Sequence, residues 1–299
     1  LFRYRKYRAT NRNHDMTTTA ADRHARQVEA WNGRQGEQWA ANEARTERGL
    51  APVLDALLAW AAPQPGQRIV DVGCGAGGTT LALSEAVGAT GHVTGMDVSA
   101  VILEAARARL AATANTTLEL ADALTWTSPA HADLLFSRFG VMFFGDPVAA
   151  FANLRRALKP GARFAFAAWA ALPDNPWVNT PLQAALATLP PLPQDDPDEP
   201  GQFAFGNPAR VRRILHDAGY NPLRQRAFDF TMKWPGDDIA RTAAGVATMG
   251  QVGRALRDRT DAERSRATEA IADILAPLVQ DGWITLPARV WLFSAANPG

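Results

Sequence analysis

Four of the eight residues in Asp71-Val72-Gly73-Cys74-Gly75-Ala76-Gly77-Gly78 are glycines. Glycine lets a chain turn sharply at the end of a strand and lets a ligand approach its backbone. A helix starting directly afterwards offers free N–H groups to that ligand. Asp97 follows Gly78 by 19 residues, where a carboxylate can hold the hydroxyls of a ribose. Gly73, Gly75 and Gly78 satisfy G-x-G-x-x-G, and with Asp97 they meet the fingerprint of dinucleotide binding. The loop therefore points to a nucleotide-bearing cofactor and leaves its identity open, NAD(P) for an oxidoreductase included.

Asp71 bears on that choice. It stands two residues before the first glycine, and a pyrophosphate there would meet a like charge at close range. S-adenosylmethionine brings an ammonium and a sulfonium instead, with a carboxylate that backbone N–H groups can take. A carboxylate at Asp71 suits that ligand and is awkward for NAD(P).

The elements around the loop predict an α/β fold. IVDVG (69–73), HVTGMDV (92–98), TTLELAD (116–122), ADLLFSRF (132–139) and ARFAFAAWA (162–170) read as strands. A sixth is expected near 223–231 and a last one at 289–296. Helices are expected at 78–88, from Ser99 as cap to about Thr113, from Asp146-Pro147 to Lys159-Pro160-Gly161, and from Asn207-Pro208 to Gly219. Strands separated by helices of this length imply a parallel sheet covered on both faces. Outside that alternation lie residues 20–62, helical with Trp31 and Trp39; residues 172–206, including the linker LPPLPQDDPDEPG; and residues 237–285, largely helical. The last two read as cap insertions over the carboxyl ends of the strands, where α/β folds bind ligands. Residues 20–299 are expected to form one domain. Its core is 66–170, 207–231 and 287–299, and 20–62 form a helical lid.

The motif D-V-G-C-G-A-G-G, with Asp97 after the second strand and Ala121-Asp122-Ala123 after the third, resembles the class I S-adenosylmethionine-dependent methyltransferases. The stretch SRFGVMFFGDPVAAFANLRRALKPGARFAFAAW (137–169) is similar to the fourth- and fifth-strand region of their small-molecule branch. The resemblance implies a Rossmann-like seven-stranded sheet, mostly parallel, with an antiparallel last strand. It also implies roles. Asp71 would receive the methionine ammonium, directly or through water, and the backbone of Gly73, Cys74, Gly75 and Gly77 would pass beneath that moiety. Asp97 would hold the ribose hydroxyls, with Val98 against adenine. Asp122 would accept from the adenine amino group beside Ala123, and Ser137, Arg138 and Phe139 would lie below the sulfonium methyl. Trp39 resembles the place where related enzymes fold a helix over the cofactor.

The acceptor is narrowed by absences. Ser137-Arg138-Phe139-Gly140 replaces the Asn/Asp-Pro-Pro-aromatic motif of nucleobase N-methyltransferases. No glutamate occurs between Glu119 and Glu199, against the paired glutamates of protein arginine methyltransferases. Quinone-ring C-methyltransferases share the general pattern without a close match. A small-molecule acceptor remains, with Phe143, Trp169 and Trp177 as candidate pocket walls. His92 and His131 precede strands and His216 ends a helix, so no histidine is expected at the carboxyl end of the sheet; no catalytic residue is assigned.

The chain has 299 residues with net charge +1; residues 1–15 hold five bases and one acid, which leaves 26 bases against 29 acids in the remainder. That balance gives no support for a nucleic-acid partner. Residues 1–19 are expected to be a disordered basic tail, an upstream extension ahead of a start at Met16. Cys74 is the only cysteine, which excludes an intrachain disulfide and a cysteine-based zinc site; no metal is expected. No apolar run reaches the length of a membrane span, and a cytoplasmic location is expected. The competing readings are an NAD(P)-dependent oxidoreductase and a non-catalytic module that binds S-adenosylmethionine.

Overall fold

The computed structural model describes residues 18–190 and 199–299. Residues 1–17, most of the expected tail, and 191–198 of the proline-rich linker lie outside the described residues.

Seven strands build the sheet: β1 (Arg68–Val72), β2 (His92–Asp97), β3 (Thr116–Leu120), β4 (Ala132–Arg138), β5 (Leu158–Trp169), β6 (Leu223–Pro235) and β8 (Trp283–Ala296). Their order is β3-β2-β1-β4-β5-β8-β6, and a two-residue strand β7 (Val279–Gln280) pairs with β8. The β1–β5 pairings are all parallel, whereas β8 is antiparallel to both β5 and β6. This is the expected α/β, Rossmann-like sheet. The middle strands are apolar on both faces: Leu134, Leu135, Phe136, Phe164, Ala165 and Phe166 are all buried, as a sheet sandwiched between helices requires. The helices are α3 (Gly78–Val87), α4 (Ala100–Leu110), α5 (Pro147–Arg155), α6 (Pro176–Leu186) and α7 (Pro208–Asp217). Ser99, Asp146 and Asn207 cap α4, α5 and α7 through their side chains, with proline opening α5 and α7.

Boundaries differ from expectation in two places. α5 ends at Arg155 rather than at Lys159-Pro160-Gly161, because Leu154, Ala157 and Leu158 turn into the core and Ala132 N–H already bonds the Ala157 carbonyl at 2.7 Å. β6 and β8 run beyond 223–231 and 289–296, pairing from Leu223↔Ala295 to Pro235↔Trp283. The cause is alternation: Ile284, Leu286, Ala288 and Val290 are buried, while Trp283, Thr285 and Pro287 are exposed. The prolonged ribbon carries Trp234, Ile284 and Leu286 into a second apolar cluster with α6, α8 (Ile239–Ala247), α9 (Gly250–Leu256) and α10 (Asp261–Leu275).

Before the sheet come α1 (Ala20–Asn32) and α2 (Arg34–Ala61), broken at Gly33. Thr19 and Asp22 form a capping box that starts α1. The break between the helices is pinned to the top of α4. Ser99 Oγ donates to the Trp31 carbonyl at 2.7 Å, Asn32 Nδ2 to the Val98 carbonyl at 3.0 Å, and Ala100 N–H to Asn32 Oδ1 at 3.0 Å. These bonds set α1 and the first turns of α2 above the carboxyl ends of β1, β2 and β4.

Candidate cofactor and active site

β1 delivers the glycine loop to the carboxyl edge of the sheet, where Gly73 N–H and Cys74 N–H both bond the Met96 carbonyl, at 2.8 and 3.0 Å. Two of the glycines are required by space as well as by backbone angle. Gly73 has φ +68°, and a Cβ there would lie 2.9 Å from Gly140 Cα. Gly75 has φ +56°, and its Cβ would meet the Trp39 ring at 3.0 Å. The loop thus runs flush between the strand-four turn on one side and the α2 indole on the other.

These elements line a cavity that opens to solvent. Its walls include Gly73 and Gly75; Asp97 and Val98; Asp122 and Ala123; Arg138, Phe139 and Gly140; and Trp39 and Phe143. Sequence reasoning missed several lining residues, notably His24, Val28, Trp31, Leu50 and Ile102. Most of these come from α1 and α2, whose docking depends on contacts far apart in the chain.

At one end, Asp97 Oδ2 accepts from Gly75 N–H at 2.9 Å and Oδ1 from Ser99 N–H at 2.9 Å. Burial pushes its carboxyl above the ordinary carboxylate range, against the pull of those N–H groups. Asp122 Oδ1 accepts from Leu124 N–H at 2.9 Å, and Asp122 Oδ2 lies 2.7 Å from His24 Nε2. This corrects the expectation that no histidine reaches the carboxyl end of the sheet. His24 belongs to α1, and only the docking of that helix over β3 brings it there. No local signal in the sequence marks it.

At the other end, Arg138 pairs with Glu47 of α2 through Nη2, its side chain only 6% exposed. Arg138 Nη1, Ser137 Oγ and Asp71 Oδ1 are buried with no partner. Asp71 is not at the mouth of the loop as expected. Side chains alternate along β1, so Val72 lines the cavity while Asp71 is fully buried and accepts from Thr80 Oγ1 of α3 at 2.7 Å. Burial raises its carboxyl to about 7, with Thr80 and Arg138 pulling it down and Asp97 and Glu47 adding to the rise.

The remaining expected residues lie behind this surface. Ser137 is buried in β4, and Cys74 packs with Leu103 and Ala106 of α4. Gly77 caps α3, close against Leu110 and Ala106. Trp169 and Trp177 do not line the cavity. Trp169 stacks on Phe139, centroids 4.7 Å apart and planes 6° apart, and Trp177 packs on Trp169 at 4.9 Å. Their place as pocket walls is corrected to that of a support behind Phe139. Phe139 itself holds φ +70°, an unfavourable conformation for an aromatic residue that recurs at ligand sites.

The polar groups sort into two sets. One end offers two carboxylates, Asp97 and Asp122, for ribose and base. The other offers the unanswered Arg138 guanidinium nitrogen, with the Ser137 hydroxyl and the Asp71 carboxylate buried behind it, a set that suits the carboxylate and ammonium of an amino acid. A nucleoside joined to an amino acid satisfies both, and a second nucleotide does not. Residues 69–161 match the methyltransferase domain family. An aklanonic acid methyltransferase from a Streptomyces species is 34% identical over 150 residues, covering 47% of this chain and 68% of that protein. The chain belongs to the class I S-adenosylmethionine-dependent methyltransferases. A demethylmenaquinone methyltransferase from Staphylococcus aureus is 38% identical over 97 residues, 32% of this chain and 40% of that protein. The fold is shared with the YcgJ protein of a Bacillus, at a TM-score of 0.54 and 17% identity, over 81% of this chain and 97% of that one. The cofactor of this methyltransferase is S-adenosylmethionine, and the oxidoreductase reading is set aside.

Proposed function

We propose that the cavity holds S-adenosylmethionine with its nucleoside between Asp97 and Asp122, and that the chain methylates a small organic acceptor. The observation that carries this reading is the pairing of two cavity-lining carboxylates, Asp97 and Asp122, at one end with Arg138 at the other, backed by the buried Asp71 and Ser137 atoms that have no partner among the described residues. Asp97 would take the ribose hydroxyls while its N–H partners hold it in place. Asp122 would take the adenine amino group, oriented by His24, with Val98, Ile102 and Ala123 against the base. Arg138 Nη1 would meet the methionine carboxylate, and Asp71 would favour the ammonium from behind the loop. The backbone of Gly73, Cys74 and Gly75 would lie beneath that moiety, and Gly77 would let α3 and α4 close behind it.

The bound cofactor supplies an electrophilic methyl group, and transfer is an in-line displacement. The chain's part is alignment and exclusion of water. Phe139, braced by Trp169 and Trp177, forms one wall with Phe143, and Trp31 meets Phe143 edge-on at 4.9 Å. Such a wall suits an apolar acceptor. α1 and α2 act as the lid, and α6 with α8 to α10 packs against the far end of the β6–β8 ribbon. The two relatives are named for aklanonic acid and demethylmenaquinone, and an aromatic acceptor of that kind would meet the Phe139 and Phe143 wall. A cytoplasmic location fits a chain whose one thiol, Cys74, is free and buried.

The reading is tested by incubating the protein with S-adenosylmethionine and each of three acceptors: a demethylmenaquinol, aklanonic acid and phosphoethanolamine. Release of S-adenosylhomocysteine that depends on either of the first two supports it. Turnover with the phosphobase alone would overturn the apolar acceptor. Tight cofactor binding with no turnover on any of the three would favour the non-catalytic module.

A further inference from the structure

A second, solvent-open cavity lies under the carboxyl end of α2, lined by Ala59, Trp60, Arg163, Arg224, Arg226 and Ser294. Register explains how these residues converge. Ser294 of β8 stands opposite both Arg224 and Ala165, so all three point to one face of the sheet. Arg226 and Arg163 lie two residues from Arg224 and Ala165 respectively and share that face, which α2 covers. The site belongs to the amino-terminal half of β5 and β6, away from the carboxyl ends that carry the glycine loop.

Its charge is one-sided. Among the described residues, none of the three guanidinium groups forms an ion pair. Arg163 donates to the Ala61 carbonyl at the end of α2. Arg224 and Arg226 both lie over the Trp60 ring, 5.5 and 5.3 Å from its centroid. Trp60 Nε1 is buried without a partner. The helix end and the ring offset part of the repulsion among three cations. Edge strands do carry charge to block pairing with other chains. That role needs only outward-facing side chains. Here Arg224 and Arg226, both exposed, lie over a tryptophan ring next to a third arginine and a buried serine.

We propose that this cavity is a binding site for the phosphate group of a small soluble molecule. Guanidinium forks suit phosphate oxygens in a way that point charges do not. Arg224 and Arg226 lie together over Trp60; Arg163 adds a third guanidinium, and the Ser294 hydroxyl adds a neutral donor. The site is independent of the cofactor cavity, so it stands whether or not the acceptor assignment does.

Calorimetric titration of the full chain tests it, with S-adenosylhomocysteine present to fill the cofactor cavity and ionic strength held constant. The probes are inorganic phosphate, glycerol 3-phosphate and acetate. The expected result is saturable, single-site binding of at least one phosphate probe and none of acetate. Affinity should fall about tenfold or more in Arg224→Gln/Arg226→Gln, as loss of charge-assisted bonds requires. The single reversal Arg226→Glu, at an exposed position, should abolish it, with thermal melts confirming that both variants fold. Tighter binding of glycerol 3-phosphate marks an organic phosphate as the ligand, and equal binding marks the free ion. Absence of saturable phosphate binding, or equal affinity in the wild type and both variants, would overturn the proposal.

Discussion

Asp71 makes the apo protein's stability depend on pH in an unusual direction. Its carboxyl sits fully buried at the end of β1 with one bond from Thr80, and burial raises it to about 7. An unfolded chain releases the same proton near pH 4. Because the folded value is the higher one, the stability tied to this group is fully present below about pH 4. It is lost as the pH rises through about 7. Between pH 5.5 and 8 the loss amounts to about 2 kcal/mol, from the roughly 1.4 kcal/mol carried by each pH unit over which only the unfolded state is ionised. In a chain of 299 residues that is a fall in Tm of about 3 °C. Asp71→Asn removes the titration while keeping the shape, so the difference in Tm between wild type and variant isolates this carboxyl from every other group. The difference should grow in the variant's favour from pH 5.5 to 8. A difference that stays flat across that range would refute the reasoning. A second consequence follows if the methionine ammonium is stabilised by Asp71. Cofactor affinity should then rise by up to about tenfold per pH unit below pH 7, flatten above it, and lose this dependence in Asp71→Asn.

Two further perturbations probe the walls of the cavity. Trp39→Ala removes the ring that closes on Gly75 and should weaken S-adenosylmethionine binding about tenfold through lost apolar burial, read by calorimetry, with the far-UV circular dichroism unchanged. Glu47→Ala leaves the Arg138 guanidinium, 6% exposed, without its partner and should lower stability by about 3 kcal/mol in urea unfolding.

Much of the site was legible because its residues sit at the ends of regular elements. The loop, Asp97 and Asp122 each follow a strand of recognisable alternation, and a strand's carboxyl end in an α/β sheet is where ligands bind. Asp71 shows the limit of that reasoning. Its spacing from the glycines is plain in the sequence, but whether it faces the ligand or α3 depends on the side-chain parity of β1, which the glycine turn conceals. Trp169 and Trp177 were placed at the right end of the sheet and one layer too close, since stacking order on Phe139 is a three-dimensional property. His24 was beyond reach. It meets Asp122, 98 positions away, only because Trp31 and Asn32 dock on Ser99, Val98 and Ala100. The length of β8 was present in the alternation of Ile284, Leu286 and Ala288, and was obscured by Pro287, which sits where β8 faces β6 opposite Thr231.

The proposed cofactor site is the cavity that runs from the glycine loop to Asp97. It is tested most directly by calorimetry with S-adenosylmethionine and S-adenosylhomocysteine, NADH as the rival ligand, and Asp97→Ala as the control. Saturable one-to-one binding of both sulfur compounds and none of NADH is expected. The control should lose about a hundredfold or more in affinity, as two charge-assisted hydrogen bonds to ribose disappear. Binding of NADH alone, or sulfur-compound affinity unchanged by Asp97→Ala, would contradict it.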